Sequence, residues 1–322
     1  MKIGNVLYLP SGRIFLLRTD DGYMIESTEM RDVAVDGKLH SAVRESQDPH
    51  IVTGKHLVPY TDKMLLTVST QKGCTHNCQF CDVATLPFKG NLSFSEITEQ
   101  VEILLEYTKY AQTCKKVKIG FARMGEPAWN LRNVLRAIES LPNISDNMGL
   151  DYKWLPCFNS ILPKKIDNCI ENVIWTKERY YKGYLHFQIS CNSTDEETRK
   201  RLFGGADVMS IEDIINKVNS LKITNRTVTL NFIVMKDIEV DVQKLKKMNL
   251  NKEKFTVKLI PLNNTINSQN SGLETYANYS NYDKLLELKH TFEINDIPVV
   301  VDAIAKCEEA GLCCGQLAQI YS

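Results

Sequence analysis

The chain has 322 residues, 43% of them hydrophobic and 24% charged, and its 39 basic and 39 acidic residues cancel to a formal net charge of zero. That is the ordinary balance of a globular enzyme, long enough for one large domain or two smaller ones, with no global pull toward nucleic acid or an anionic membrane. The opening run Met1-Lys-Ile-Gly-Asn-Val-Leu-Tyr-Leu-Pro10 is too short and too interrupted for a secretory signal, and no stretch reaches the length of a membrane span. A cytoplasmic location is therefore expected, with the ten cysteines reduced.

No internal repeat or low-complexity tract interrupts the chain. Residues 5–30 read as β-strands, with Asp20-Asp21-Gly22 between Arg13–Arg18 and Tyr23–Glu26 as a hairpin signal. Residues 31–63 are mixed and polar and carry no clear period. From Met64 a β-then-α alternation begins. Strands are predicted at Leu65–Ser69, Lys116–Phe121, Tyr152–Phe158, Tyr184–Ser190, Val228–Val234 and Phe255–Ile260, with a last short one at Pro298–Val301. Helices are predicted from the capping box Ser93–Glu96 to about Tyr110, then over Leu131–Leu141, Lys165–Trp175, Glu196–Leu202, Ile211–Leu221, Val242–Met248 and Tyr282–Phe292.

Six such units argue for parallel strands with right-handed crossovers. They are too few for a closed eight-unit barrel, so the expected fold is α/β, a partial (β/α)6 barrel (residues 64–322) carrying a small β-rich N-terminal extension (residues 1–63). An open doubly wound sheet is the second choice. Either architecture puts the chemistry at the C-terminal ends of the strands.

Just past the first of those strands lies Gly73-Cys74-Thr-His-Asn-Cys78-Gln-Phe80-Cys81, three thiols within eight residues. Thiolates are the usual ligands of a four-iron cluster. Three of them leave one iron open, where a cofactor or substrate can bind the redox centre directly. The plainer alternatives are a zinc site completed by His76, which the tightness of the loop disfavours, and three unrelated buried cysteines.

The pattern C-x3-C-x-Phe-C after a first strand resembles the radical S-adenosylmethionine superfamily. There the open iron chelates the amino and carboxyl groups of the cofactor's methionine, and reductive cleavage yields a 5′-deoxyadenosyl radical. The resemblance implies a [4Fe-4S] cluster on Cys74, Cys78 and Cys81, S-adenosyl-L-methionine as cofactor, Phe80 beside the adenosyl group, and an electron donor such as flavodoxin or ferredoxin. Met124-Gly125-Glu126-Pro127 follows the second strand. By itself it could be a simple turn, but a glycine lets a ligand approach and a carboxylate can accept from an ammonium group. Beside the cysteine loop it resembles the motif that holds the cofactor's amino group.

More narrowly, the chain resembles the radical RNA methyltransferases that modify adenine C2 or C8. Met124–Leu131, Gln188-Ile-Ser190-Cys-Asn192-Ser and Leu259-Ile-Pro-Leu-Asn263 are similar to that family's second-, fourth- and sixth-strand segments, with Asn192 where the family usually has histidine. The resemblance assigns Gly125, Glu126, Ser190, Asn192 and Asn263 to the cofactor. Cys314-Gly315-Gln316-Leu317 is similar to the segment whose cysteine is methylated and then delivers that carbon to the base. Glu26, on the hairpin, is similar to a glutamate that acts there as a base; an exposed hairpin carboxylate is the bland reading.

Three features depart from that family. The second catalytic cysteine, which resolves the covalent adduct, normally stands seven residues before the first cluster cysteine, and Thr67 occupies that position. Cys307 and Cys313 are the nearby thiols that could substitute, and packed small hydrophobes are the plainer reading of both. No counterpart of the family's N-terminal helical domain is expected in the first 60 residues, which read as β-rich, and Lys244-Leu-Lys-Lys247 reads as a solvated helix face more than an RNA footprint. The leading expectation is a methyltransferase acting through Cys314 on an adenine carbon of RNA. The competitors are a radical enzyme acting on a peptide, nucleotide or small metabolite, and a non-enzymatic metal-binding protein.

Overall fold

Strands β1 (Lys2–Leu9), β2 (Gly12–Arg18) and β3 (Met24–Arg31) form an antiparallel meander. The turn between β2 and β3 is the predicted one. Gly22 takes a φ of +87°, and its N–H donates to the Thr19 carbonyl at 2.9 Å. The computed structural model describes residues 1–9, 12–31, 34–35, 38–39, 61–108, 111–276, 283–302 and 314–321. Most of the polar stretch at 31–63 lies outside them, as do Cys307, Gly311 and Cys313.

The predicted alternation follows. It runs β4 (Met64–Thr67), α1 (Phe94–Tyr107), β5 (Lys116–Gly120), α2 (Leu131–Asn147), β6 (Lys153–Ser160), α3 (Cys169–Tyr181) and β7 (His186–Ser190). It continues with α4 (Glu196–Leu202), α5 (Ile211–Ser220), β8 (Val228–Val234), α6 (Val242–Lys247), β9 (Phe255–Pro261), α7 (Ile266–Asn270), α8 (Asp283–Ile294), β10 (Val299–Val301) and α9 (Gln316–Tyr321). Helix α1 starts at the capping box: Ser93 Oγ accepts from the Glu96 N–H at 3.2 Å, and a Glu96 carboxylate oxygen accepts from the Ser93 N–H at 2.8 Å.

Four helices differ from expectation. Helix α2 runs through Pro142 to Asn147, because Ile144 and Ser145 continue the buried stripe of Val134, Ile138 and Leu141. That burial offsets the hydrogen bond a proline forgoes. Helix α3 begins four residues later and ends six later than its apolar pattern suggests. Its last turns carry the charged run Lys177-Glu178-Arg179, yet Lys177 is buried and donates to the Thr224 carbonyl at 2.6 Å. Helices α7 and α9 are too short to show a helical period.

Strands β1 to β10 share one sheet in strict chain order, while Ala34–Val35 with Lys38–Leu39 and Gln71–Lys72 with Gly90–Asn91 form two separate two-stranded ribbons. Strand β3 pairs antiparallel with β4, and β4 through β10 are parallel. A doubly wound sheet reverses its order at a switch point, whereas here each new strand adds to the same edge. Right-handed crossovers then lay the helices on one face, which is the open partial barrel with its β extension and not the doubly wound alternative.

Alternation along each strand separates the two faces. Val117, Ile119, Phe187, Ile189, Val257 and Leu259 face the helices and are fully buried. Between them, on the inner face, stand Lys118, His186, Gln188, Ser190, Asn231 and Lys258. A packed barrel fills that space with Val, Ile and Leu. This interior is polar, so it is built as a site. The Thr28–Thr67 register of β3 on β4 puts Glu26 on the same inner face.

Candidate active site

The chain leaves β4 under tight backbone control. The Val68 N–H donates to the Gly120 carbonyl at 2.9 Å and the Thr70 N–H to the Met124 carbonyl at 2.8 Å, tying the cysteine loop to the loop after β5. Gly73 has a φ of +76°, and a Cβ there would stand 2.5 Å from the Pro87 carbonyl oxygen, so the loop requires glycine at its entrance. Cys78 is buried, and Cys74 and Cys81 are half-buried. Burial pushes the Cys74 thiol up to about 11. It also raises Cys78 and Cys81, and neighbouring thiols add to the effect. Three thiols held neutral beside one another fit a cationic iron–sulfur centre, which supplies the charge that makes them thiolates.

The loop is also clamped from outside. Asn267, on α7, donates from Nδ2 to the carbonyls of Cys78 (2.8 Å) and Cys81 (3.2 Å), while the buried Asp82 accepts from the Asn267 N–H at 2.7 Å. His76 is committed elsewhere, since its Nε2 accepts from the Trp129 indole at 2.8 Å. Among the described residues no three His, Cys, Asp or Glu side chains are placed to hold one metal ion.

Gly125 and Glu126 come next to the loop. Gly125 has a φ of +98°, and a Cβ there would lie 2.5 Å from the Gln71 side chain. Gln71 Oε1 in turn accepts from the Glu126 N–H at 2.9 Å. The Glu126 carboxyl is buried, and among the described residues its hydrogen-bond partners include no cation: they are Ser160 Oγ (2.5 Å), the Ile161 N–H (3.1 Å) and the Ala128 N–H (3.1 Å). Burial lifts its pKa to about 7, against the downward pull of those hydrogen bonds. A buried carboxyl lacking a countercharge fits an arriving ammonium group.

Ser190, Asn192 and Asn263 lie at or just beyond the C-terminal ends of β7 and β9. Asn192 is fully buried in a left-handed conformation (φ +65°). Its Oδ1 accepts from the Ile233 N–H at 3.1 Å, while its Nδ2 has no partner among the described residues, and neither has Oδ1 of the buried Asn231. One open donor just past β7 and one open acceptor on β8, level with the end of β7, fit the hydroxyl and carboxylate groups of a polar cofactor. Phe80 meets Phe203 edge to face at 6.1 Å, and its carbonyl accepts from Thr265 Oγ1 at 3.1 Å. The Asn263 carbonyl accepts from the Thr265 N–H at 2.9 Å and so shapes the turn into α7.

Glu26 is fully buried, which overturns the exposed-hairpin reading of it. Its Oε2 accepts from Arg123 Nε at 2.7 Å and lies 2.6 Å from Arg123 Nη2. The same carboxylate accepts from the Gly315 N–H at 3.0 Å and the Ala318 N–H at 2.8 Å, which fixes the start of α9 against β3. Arg123 Nη1 reaches Cys314 Sγ at 3.6 Å. Cys314 is also close enough to Cys81 to raise its pKa. The fold thus gathers Glu26, Cys314 and the cysteine loop, which are far apart in sequence. Arg123 is the residue that sequence reading missed: a single arginine three positions before Glu126 carries no motif, and its partners lie about a hundred residues back and two hundred on. Thr67 is on β4, where its hydroxyl meets that of Thr28. The basic run of α6 is a solvated face, with Lys244 paired to Glu239 at 2.9 Å.

No family model matches the chain. The dual-specificity RNA methyltransferase RlmN of Helicobacter hepaticus is 30% identical over 256 residues, covering 77% of this chain and 61% of the relative. A probable RlmN of Chlorobaculum tepidum is 26% identical over 223 residues, covering 64% of this chain and 57% of the relative. The chain thus spans about three fifths of the length of these relatives. The solved structure of a radical SAM methyltransferase from Sphaerobacter thermophilus matches 98% of this chain and 80% of its own, with a TM-score of 0.67 at 17% identity, and so shares the fold. Fold and cysteine loop together resemble those of radical S-adenosylmethionine proteins, and within that class the chain is similar to the RlmN-like RNA methyltransferases. Among the described residues no helix is long and apolar enough to cross a membrane.

Proposed function

We propose that the chain is a radical S-adenosylmethionine methyltransferase that modifies an adenine carbon of RNA through a methyl group carried on Cys314. Cys74, Cys78 and Cys81 would hold the [4Fe-4S] cluster, Glu126 the cofactor's ammonium, and Ser190, Asn192 and Asn263 its remaining polar groups, with Phe80 beside the adenosyl. When bound, cluster and cofactor supply the methyl group and the one-electron chemistry, fed by a donor such as flavodoxin or ferredoxin.

The observation that carries this reading is the link from Glu26 through Arg123 to Cys314. A methyl carrier must be a nucleophile near the cofactor and must be held still. The Arg123 guanidinium offers its charge to the sulfur. Glu26 holds Arg123 and, through the Gly315 and Ala318 N–H groups, the turn that bears the cysteine. Fully engaged in this way, Glu26 serves as an anchor more than as a base. Thr67 has no thiol with which to resolve an adduct, so that task falls to Cys313 or Cys307 in this proposal. The decisive experiment is mass spectrometry of protein reconstituted with iron, sulfide, cofactor and reductant. A methyl group on Cys314, absent when Cys314→Ala is treated alike, is the expected result; an unmodified Cys314 would overturn the proposal.

A further inference from the structure

The inner wall of the barrel carries a second group of side chains that the methyl-transfer reading does not use. Lys118 stands between Val117 and Ile119, and Lys258 between Val257 and Leu259, and all four neighbours are fully buried against the helices. Strand alternation therefore turns both lysines inward. His186 precedes the fully buried Phe187 and faces the same space. Arg226, just before β8, brings Nη1 to 3.3 Å from His186 Nδ1. Lys258 forms an ion pair with Asp302, just past β10. Lys118 has no hydrogen bond or salt bridge among the described residues.

We propose that this inner wall binds a phosphate group among Lys118, Arg226 and Lys258. Lys118 lies within reach of Lys258 and its partner Asp302, Arg226 meets His186 on the same wall, and cations that share a half-buried space with so little countercharge repel one another. The strain is visible in their neighbours. Burial lowers the Lys118 ammonium's pKa, with Lys258 and Lys63 adding to the fall. Burial also drives His186 down to about 2, helped by Arg226, Lys118, Lys63 and Lys258. A chain that stabilised only its own fold would place apolar side chains here, as filled barrels do. A dianionic oxyanion reverses the balance, because it accepts charge-assisted hydrogen bonds from several directions and suits the guanidinium fork. Neutral His186 can donate one more. The inference does not depend on the role of Cys314, and the failure of either leaves the other standing.

The test is thermal unfolding of the reconstituted protein in inorganic phosphate, at ionic strength held constant with chloride. The expected result is a saturable rise in Tm with phosphate that chloride does not reproduce. Lys118→Met should fold as well as the wild type without phosphate, since it removes a half-buried cation that has no hydrogen bond or salt bridge among the described residues, and should weaken the phosphate response about tenfold or more. Lys118→Gln serves as a second variant should the methionine fail to fold, and Lys244→Met, on the exposed face of α6, should respond like the wild type. A parallel titration with adenosine 5′-monophosphate separates the sources. Tighter half-saturation than phosphate assigns a nucleotide, and equal half-saturation assigns free phosphate. No saturable response in the wild type, or an unchanged half-saturation in both Lys118 variants, would overturn the proposal.

Discussion

Glu26 and Arg123 form a buried ion pair, 97 residues apart in sequence, that closes the inner face of the sheet beneath Cys314. Breaking a buried pair from one side leaves an uncompensated charge, which costs about 3–5 kcal/mol. Glu26→Gln and Arg123→Met should each lower stability on that scale in urea unfolding, and the double variant should lose less than the sum of the two. Strict additivity would mean that the two side chains do not act together. Both single variants should also lose methylation at Cys314 while keeping the iron.

The cysteine loop makes a separate prediction. Anaerobic reconstitution should load roughly four irons per chain, and Cys74→Ala, Cys78→Ala or Cys81→Ala should each remove most of them. Full iron content in the triple variant would sink the assignment. Asn267→Ala, which removes the clamp on the Cys78 and Cys81 carbonyls, should leave assembly intact but speed loss of the cluster to a chelator.

These two centres differ in how far sequence alone reveals them. Cys74, Cys78 and Cys81 are legible because a strand-to-helix loop concentrates its ligands locally, and Gly125-Glu126 because it sits at the end of the next strand. The barrel strands β4 to β9 are legible because each has fully buried residues on its outer face. Arg123 is not, since its function lies in contacts with Glu26 and Cys314 that only the folded sheet creates. Lys118 reads in sequence as the polar member of an alternating strand, and nothing local says that its face is the inside of a barrel. The far end of α3 is hidden for a related reason: Lys177 looks solvated until Thr224 supplies its acceptor.

Glu126 should make cofactor binding and stability depend on pH in opposite senses. Its pKa is raised from 4.5 to about 7 in the folded chain, so the folded state holds a proton that the unfolded state releases between those values. Stability from this group is fully present below 4.5 and is lost as pH rises through 7, about 3 kcal/mol in all at 1.36 kcal/mol per unit. An ammonium group binds the ionised form, so cofactor affinity should rise across the same window. Glu126→Gln should flatten both profiles and weaken binding at pH 8 without loss of iron. A pH-dependent affinity that survives in Glu126→Gln would assign the titration to another group.

Gly315 offers the sharpest separation of Cys314 from the metal centre. Its φ is +86°, and a Cβ there would stand 2.7 Å from Val83 Cγ2 and 2.8 Å from the Val83 backbone nitrogen. Backbone cannot yield as a flexible side chain can, and the left-handed conformation is itself unfavourable for alanine. Gly315→Ala must therefore push the turn away from the segment that follows Cys81, carrying Cys314 off the Arg123 guanidinium and loosening the Gly315 N–H from Glu26. Cys81 and its neighbours keep their own supports in Asn267 and Asp82. The expected variant binds iron and cofactor as the wild type does, cleaves the cofactor under reduction, and acquires little or no methyl on Cys314 by mass spectrometry. Wild-type methylation of Gly315→Ala would show that the position of Cys314 beside Arg123 is not what makes it a carrier.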